Sequence, residues 1–233
     1  MAKRGKRYRA TLEHVKSRDP LAPQDAVAAL KATATAKFDE TIDIAARLGV
    51  DSKKGEQMVR GTVVLPHGSG KQVRVAVFAR GERAAEAEQA GADVVGAEDL
   101  VQRIDQGWKD FDILVATRDM MPIVGRLGKK LGPRMPNPKS GTVSEDVAKV
   151  VRDLKGGRIE FRMDKAGVVH APLGKASFPA EHLLENLTAF VSALSRARPP
   201  SVKGQFIKKL SVSAAMGPSV QVDPALATEA AER

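Results

Sequence analysis

The chain has 233 residues, with 38 Lys and Arg against 28 Asp and Glu, so its formal net charge is +10. This excess favours a polyanionic partner, nucleic acid first and an acidic membrane surface second. Hydrophobic residues make up 42% of the chain, too many for a disordered protein, and the absence of cysteine excludes disulfides and thiolate chemistry. No apolar run approaches the roughly 20 residues of a membrane-spanning helix. Of the two polyanions we expect nucleic acid, and no membrane, as the partner.

The N-terminal segment is strongly basic. Its Lys and Arg residues are Lys3, Arg4, Lys6, Arg7, Arg9, Lys16 and Arg18. A solvated tail and an arm lying on phosphates both fit this charge run. A short Ala-rich helix is predicted over 25–34, followed at 37–45 by a strand with one polar and one apolar face.

The block 68–159 has a different sequence pattern, because near-continuous apolar strands alternate with helices. The predicted elements are strands at 73–79, 93–95 and 111–116 and helices at 82–90, 98–104, 119–131 and 144–154. This alternation is typical of βαβ units around a largely parallel sheet that is covered on both faces. The block carries sixteen Lys/Arg and thirteen Asp/Glu, net +3, whereas the flanking segments carry net +7. We therefore expect the polyanion site on the flanking segments.

The segment 158–173 is predicted to form a β-hairpin. Charged and apolar residues alternate in its first half, the turn contains Gly167, which can adopt positive φ, and the second half is an apolar strand. On such a hairpin the donors of Arg162, Lys165 and His170 would be presented together.

After the hairpin, the chain again predicts strands with one polar and one apolar face, as in the N-terminal segment. The predicted elements are a helix at 179–195, strands at 206–213 and 220–222, and a tail from Asp223 that frays. We therefore predict a fold of combined α/β and α+β type. A discontinuous α+β domain, 1–67 and 160–233, holds an inserted Rossmann-like α/β domain with a parallel sheet, 68–159. Both chain crossings are glycine-rich, which predicts a two-chain hinge at Gly68, Gly70, Gly156 and Gly157.

The enzyme motifs in the chain are incomplete. The run from Gly68 to Lys71 is half a P-loop, but Leu65 stands where its first glycine belongs and Gln72 where Ser or Thr is needed. The four histidines have no metal-ligand spacing, and no dinucleotide fingerprint follows the first strand of the block. We expect no enzymatic activity, cofactor, metal or small-molecule substrate. Two alternatives stay open: another basic protein that binds nucleic acid or a membrane surface, and a nucleotide-dependent enzyme that uses the inserted domain.

Seven runs, in order along almost the whole chain, closely resemble bacterial large-subunit ribosomal proteins of the L-one family. They are KFDET (37–41), QMVRGTVVLPHG (57–68), AGADVVG (90–96), MMPIVGRLG (120–128), MPNPK (135–139), DKAGVVH (164–170) and MGP (216–218). The resemblance implies a cytoplasmic protein of the large ribosomal subunit. Its outer domain would bind large-subunit ribosomal RNA at the mobile stalk, and the stalk would help deacylated tRNA leave the exit site. The resemblance also implies binding to a similar structure in the protein's own operon mRNA, which represses translation.

In that family, strand faces of the outer domain form the RNA surface. Position by position, the resemblance implies RNA contacts at Lys37, Phe38, Thr41, Asp43, Arg60, Arg162, Lys165, His170, Ser211, Ser213, Met216 and Gly217. Basic side chains would neutralise phosphates, and hydroxyls would bond 2′-hydroxyl groups and so favour RNA over DNA. Phe38 and Met216 would lie on sugars or bases, although residues of these types more often belong to a core.

The chain departs from the usual family pattern at two places. Ala215 stands where threonine is usual, which removes one hydroxyl contact. In the loop 132–141, Arg134 runs directly into Met135, so this loop is two residues shorter than usual.

Overall fold

The structure, a computed structural model, describes residues 5–15, 19–52 and 54–232. Its strands are β1 (Thr41–Leu48), β2 (Arg60–Val64), β3 (Val75–Phe78), β4 (Val94–Gly96), β5 (Ile113–Ala116), β6 (Arg158–Arg162), β7 (Val168–Lys175), β8 (Ile207–Ala214) and β9 (Ser219–Val222). Its α-helices are α1 (Lys6–His14), α2 (Pro23–Thr33), α3 (Glu82–Gln89), α4 (Glu98–Asp105), α5 (Met121–Val124), α6 (Gly128–Leu131), α7 (Val147–Lys155), α8 (Ala180–Arg196) and α9 (Pro224–Glu232). Within the described residues, each helix is too short or too polar to cross a membrane.

The chain divides into two compact units. The outer unit consists of Met1–Gly70 and Gly157–Arg233, and the inserted unit is Lys71–Gly156. The outer unit has an antiparallel sheet, whereas the inserted unit has a separate parallel one. This mixed architecture confirms the predicted fold class.

The outer unit is organised around a four-stranded sheet with the order β7-β1-β8-β9. In β1 the even-numbered side chains, including Ile42 and Ile44, are fully buried, and the odd-numbered ones face outward. The buried face joins one apolar core with side chains of α2 and α8, such as Leu30 and Phe190. Burying each large aliphatic side chain contributes about 1.5–3 kcal/mol, so this core holds the sheet against its helices and leaves the other face open.

The predicted hairpin at 158–173 is wrong as a pairing, although its turn is correct. β6 pairs with β2 in a separate two-stranded sheet, and β7 pairs with β1. A single bridge, Met163 to Val169, joins the two strands beside the turn. The turn closes with Gly167 at φ 79°. The strands diverge because each finds a longer partner elsewhere: five paired positions on β2 and seven on β1.

A helix lies near each end of the described chain. The expected frayed tail forms α9, which packs on α8 and buries Ala227 completely. Of the basic N-terminal segment, Lys6–His14 form α1, in which the buried Thr11 hydroxyl donates to the Arg7 carbonyl. Lys3, Arg4, Lys16 and Arg18 lie outside the described residues.

The inserted unit has a three-stranded parallel sheet, in the order β4-β3-β5, with a core on each face. Phe78 packs on one side with Leu100 of α4, and Val77 packs on the other with Val151 of α7. One prediction here is wrong: residues 119–131 do not form one helix. They form short α and 3₁₀ turns, α5 and α6 among them, in a stretch that contains Pro122, Gly125 and Gly128. Proline and glycine are the poorest formers of a continuous helix.

Candidate RNA-binding surface

The uncovered face of the four-stranded sheet, which we call the open face, carries five of the predicted RNA contacts. Its outward residues are Thr41, Asp43, Ala45 and Arg47 of β1, His170 of β7, and Lys209, Ser211 and Ser213 of β8. Asp43 lies directly opposite Ser213, and Ala45 lies opposite both Ser211 and His170. Strand register therefore brings together side chains that are far apart in sequence.

Two predicted contacts with exposed apolar side chains stand beside one end of the open face. Phe38 is 57% exposed and Met216 is 54% exposed, so both lie outside the core. The turn that carries Met216 is tied to β1, because the Ala215 N–H donates to the Thr41 carbonyl at 3.0 Å. Lys37 is exposed next to Phe38. Together these residues form an exposed edge that can contact sugars and bases.

A buried carboxylate joins the two segments of this edge. Glu40 is only 2% exposed, and its two oxygens accept separately from the Ala36 N–H and the Met216 N–H, each at 2.8 Å. Sequence reasoning missed Glu40. Its place inside KFDET gave no indication that the side chain turns inward.

The Asp164–Val168 turn lies beside the opposite end of the open face. The Asp164 carboxylate accepts from the N–H groups of Val168 and Ala166, both at 2.8 Å, and lies 4.0 Å from the His170 ring. These backbone hydrogen bonds, aided by His170, hold the pKa of Asp164 below its ordinary value. The turn leaves Lys165 exposed, while its carbonyl accepts from the Ser52 hydroxyl. Lys165 and His170 are both exposed, and their joint contact with RNA stays a prediction.

Arg60 and Arg162 stand directly opposite each other on the two-stranded sheet. Both are exposed, and neither makes an ion pair with a described residue. The bridge from Met163 to Val169 directs both of those side chains inward, so their neighbours Arg162 and His170 face outward together. The arginine pair therefore adjoins the open face.

A second like-charged pair, absent from the predicted set, lies on the open face itself. Arg47 of β1 is opposite Lys209 of β8, and both are exposed. Arg47 continues the outward positions 41, 43 and 45 of β1, and Lys209 continues the outward positions 213 and 211 of β8. Side-chain periodicity would therefore have found both residues. Like charges directly opposite each other destabilise a sheet, so neither pair is explained by the stability of the sheet.

Asp43 is the one acidic member of the predicted set. Partial burial on the sheet raises the pKa of its carboxyl above the ordinary value, while the charges of His170 and Lys175 act in the opposite direction. Asp43 is therefore less easily ionised than a free aspartate. Such a carboxyl is suited to accept a hydrogen bond from a hydroxyl or a base amine.

Several remaining predicted residues have contacts of their own within the protein. The Thr41 hydroxyl accepts from Lys175 at 2.9 Å, and the Ser211 hydroxyl reaches the Ala45 carbonyl at 3.4 Å. Gly217 has ordinary negative φ, and a methyl group there would sit 3.4 Å from Ala214. Its backbone could thus accept a side chain, and its role as an RNA contact stays a prediction.

Three of the predicted hinge glycines, Gly68, Gly70 and Gly157, belong to the outer unit, and Gly156 is the last residue of the inserted unit. Gly68, Gly70 and Gly157 all have positive φ, whereas Gly156 ends α7 with φ −73°. A methyl group on Gly157 would lie 2.2 Å from the Gly68 Cα, so the two chain crossings touch. The buried Asn186 side chain donates to the Gly68 carbonyl and accepts from the His67 N–H. Hinge motion at these positions stays a prediction.

The basic residues of the inserted unit are bound differently. Arg80 pairs with Glu98, Lys130 with Asp105 and Lys155 with Asp93. In the short loop, the Arg134 guanidinium donates to the Lys109 and Phe111 carbonyls and lies 5.7 Å from the Phe111 ring. The charges of these four residues are satisfied within the unit, in contrast to those of the arginine pair.

A comparison with protein-family models matches residues 30–218 to the Ribosomal protein L1p/L10e family. The match spans the open face, the exposed edge, the Asp164 turn and the whole inserted unit. The family is one of structural proteins rather than enzymes. The chain therefore belongs to the Ribosomal protein L1p/L10e family, and it is a cytoplasmic ribosomal protein of the large subunit that binds ribosomal RNA.

Proposed function

We propose that the chain binds a structured segment of large-subunit ribosomal RNA through its outer unit, with the open face, the exposed edge, the Asp164 turn and the arginine pair as one surface. Bound there, it forms the mobile stalk beside the tRNA exit site and assists the release of deacylated tRNA. It also binds a similar structure in its own operon mRNA and represses translation. The stalk, tRNA and mRNA roles rest on family resemblance; the surface rests on geometry.

The observation that carries the surface is the pair of like-charged cross-strand contacts. Arg60 faces Arg162, and Arg47 faces Lys209, without a described carboxylate as a partner for any of the four. A polyanion turns this repulsion into attraction, because each phosphate can lie between two cations.

The other side chains of the surface supply selectivity for RNA. Ser211, Ser213 and Thr41 offer hydroxyl groups that can bond a ribose 2′-hydroxyl, and DNA lacks that partner. Phe38 offers a flat apolar face that is already exposed, so stacking on it requires no rearrangement of the core.

The test is footprinting of the pure protein on large-subunit ribosomal RNA, with competition by equal-length RNA and DNA and by anionic vesicles at one salt concentration. We expect one protected region, displaced by the operon mRNA and not by DNA or vesicles. Equal competition by DNA would instead indicate a general nucleic-acid-binding protein. Protection confined to a site remote from the exit-site stalk would reject the stalk and tRNA roles.

A further inference from the structure

We infer that Glu40 is a positioning residue of the RNA-binding surface, which acts without touching RNA. Its carboxylate fixes the segment that carries Lys37 and Phe38 against the turn that carries Met216. The inference rests on the proposed function, since it concerns how that surface is assembled.

The side chain and the backbone of Glu40 both accept hydrogen bonds from other segments of the chain. One carboxylate oxygen accepts from Ala36 and the other from Met216, while the Glu40 backbone carbonyl accepts from Ala176 at 2.8 Å. One residue therefore connects three separate stretches of chain. A rigid connection of this kind leaves the exposed side chains of Phe38 and Met216 at a fixed separation.

The Glu40 side chain is buried. It is 2% exposed, and none of its contacts is with a lysine or arginine of the described chain. Burying a carboxylate is costly, and two N–H groups offset that cost without supplying a net charge partner. An apolar residue would fill the space at lower cost, so the carboxylate is better explained by the geometry it imposes than by stability.

Its neighbour strengthens the same connection. Asp39 accepts from both the backbone N–H and the hydroxyl of Ser177, at 3.1 and 2.9 Å. The segment before β1 is thus fixed to the chain that follows β7 as well as to the Met216 turn. Preorganisation of this kind lowers the ordering cost of binding.

Glu40→Gln is the direct test. Glutamine has one acceptor oxygen, and its NH₂ group would face the second N–H donor, so one of the two segments must be released. We expect affinity for the ribosomal RNA fragment to fall about tenfold, with an unchanged salt slope. If Glu40 instead acted through its charge on nearby phosphates, its removal would tighten binding, and the inference would be overturned.

Amide hydrogen exchange in the free protein supplies a readout independent of RNA. In the unmodified chain we expect the Ala36 and Met216 amides to be protected, and in Glu40→Gln at least one should exchange tenfold faster or more. Rapid exchange at both sites in the unmodified protein would overturn the inference even if the variant did not fold. Failure of the unmodified protein to bind the fragment would reject the proposed function, while exchange would still decide whether Glu40 joins the segments.

Val191→Ala is the matched control. Val191 is fully buried in α8 in the same core, so its truncation destabilises the outer unit without altering the Glu40 contacts. Even if its thermal midpoint falls as much as that of Glu40→Gln, we expect Val191→Ala to keep wild-type affinity and wild-type exchange at the Ala36 and Met216 amides. Equal loss of affinity in both variants would show that Glu40 matters only for stability.

Discussion

Met216 gives the clearest test at the scale of a single residue. Because its side chain is 54% exposed in a turn, replacing it should disturb the core little. We expect Met216→Asp to weaken RNA binding at least tenfold, about 1.4 kcal/mol, because a carboxylate would face phosphates in place of the thioether proposed to contact a base or sugar. Titration of the ribosomal RNA fragment and thermal denaturation measure the two effects.

Leu226→Asp is the matched control for Met216. Leu226 is 44% exposed on α9, a helix packed on α8 and outside the proposed surface. We expect it to leave affinity unchanged. Equal losses of stability and affinity in Met216→Asp would mark the Met216 position as structural.

We expect the Asp43 carboxylate to have opposite effects on the stability of the fold and on RNA binding. Its folded pKa lies above the ordinary value of 3.8, so the folded state holds the proton more tightly than the unfolded state does. Its contribution to the free energy of unfolding therefore falls as pH rises from about 3.8 through the raised value, and stays low at neutral pH. We expect Asp43→Asn to be more thermally stable than wild type at pH 7, with the difference vanishing in acid.

The same variant should bind RNA more weakly, by roughly three- to tenfold, if the Asp43 carboxylate accepts a hydrogen bond from RNA. Titrations at pH 7 decide this. Tighter binding of Asp43→Asn would show that the carboxylate only repels phosphates.

At the scale of elements, the two-stranded sheet offers a test of electrostatics. We expect Arg162→Gln to weaken RNA binding and to reduce the slope of log affinity against log salt by about 0.7–0.9, the value for one phosphate contact. Its stability should be unchanged or slightly higher, since the repulsion from Arg60 is removed. Titrations at several salt concentrations measure the slope.

Arg103→Gln serves as the control for charge alone. Arg103 is exposed on α4 of the inserted unit, so its loss changes net charge equally without altering the proposed surface. An equal change of slope in both variants would mean that net charge, rather than the arginine pair, sets the affinity.

Regular local patterns made most elements predictable. The alternation in β1 gave its two faces, and the apolar runs of β3 and β5 gave a parallel sheet, because burial follows side-chain periodicity directly. Partner choice was not predictable in the same way. β6 pairs with β2 across the whole inserted unit, and no local pattern in 158–173 indicates that it leaves β7.

The surface shows the same division between local and long-range information. Family resemblance supplied residues such as Phe38 and His170, and the sheet register then places several of them on one face. Arg47 could have been found by periodicity. Glu40 could not, because its importance depends on a hydrogen bond to Met216, 176 positions along the chain.

At the scale of the whole molecule, the prediction concerns the division of labour between units. A chain joining residues 1–70 to 157–233 through a short Gly-Ser linker should fold and keep most of the affinity for the ribosomal RNA fragment. These ends retain the Asn186 contact to Gly68 and the Leu65 bond to Gly157. The isolated residues 71–156, with their own sheet and cores, should fold but bind weakly. Circular dichroism and RNA titration test both chains.

Tight binding by residues 71–156 alone would contradict this division. The surface would then have to be sought among the basic residues of the inserted unit: Arg126, Lys129, Lys130, Arg134 and Lys139. Arg134 would be the weakest candidate for an RNA contact among them, because its guanidinium already binds two backbone carbonyls.

The sheet order of the outer unit has a consequence during synthesis. β1 is translated early, yet both of its partners, β7 and β8, follow the entire inserted unit. The inserted unit contains all of its own strand partners and can fold as soon as it emerges, whereas β1 must wait with Ile42 and Ile44 uncovered. The RNA-binding surface therefore comes into being only near the end of translation. If the proposed repression operates, a nascent chain cannot bind its own message through this surface until its translation is nearly complete.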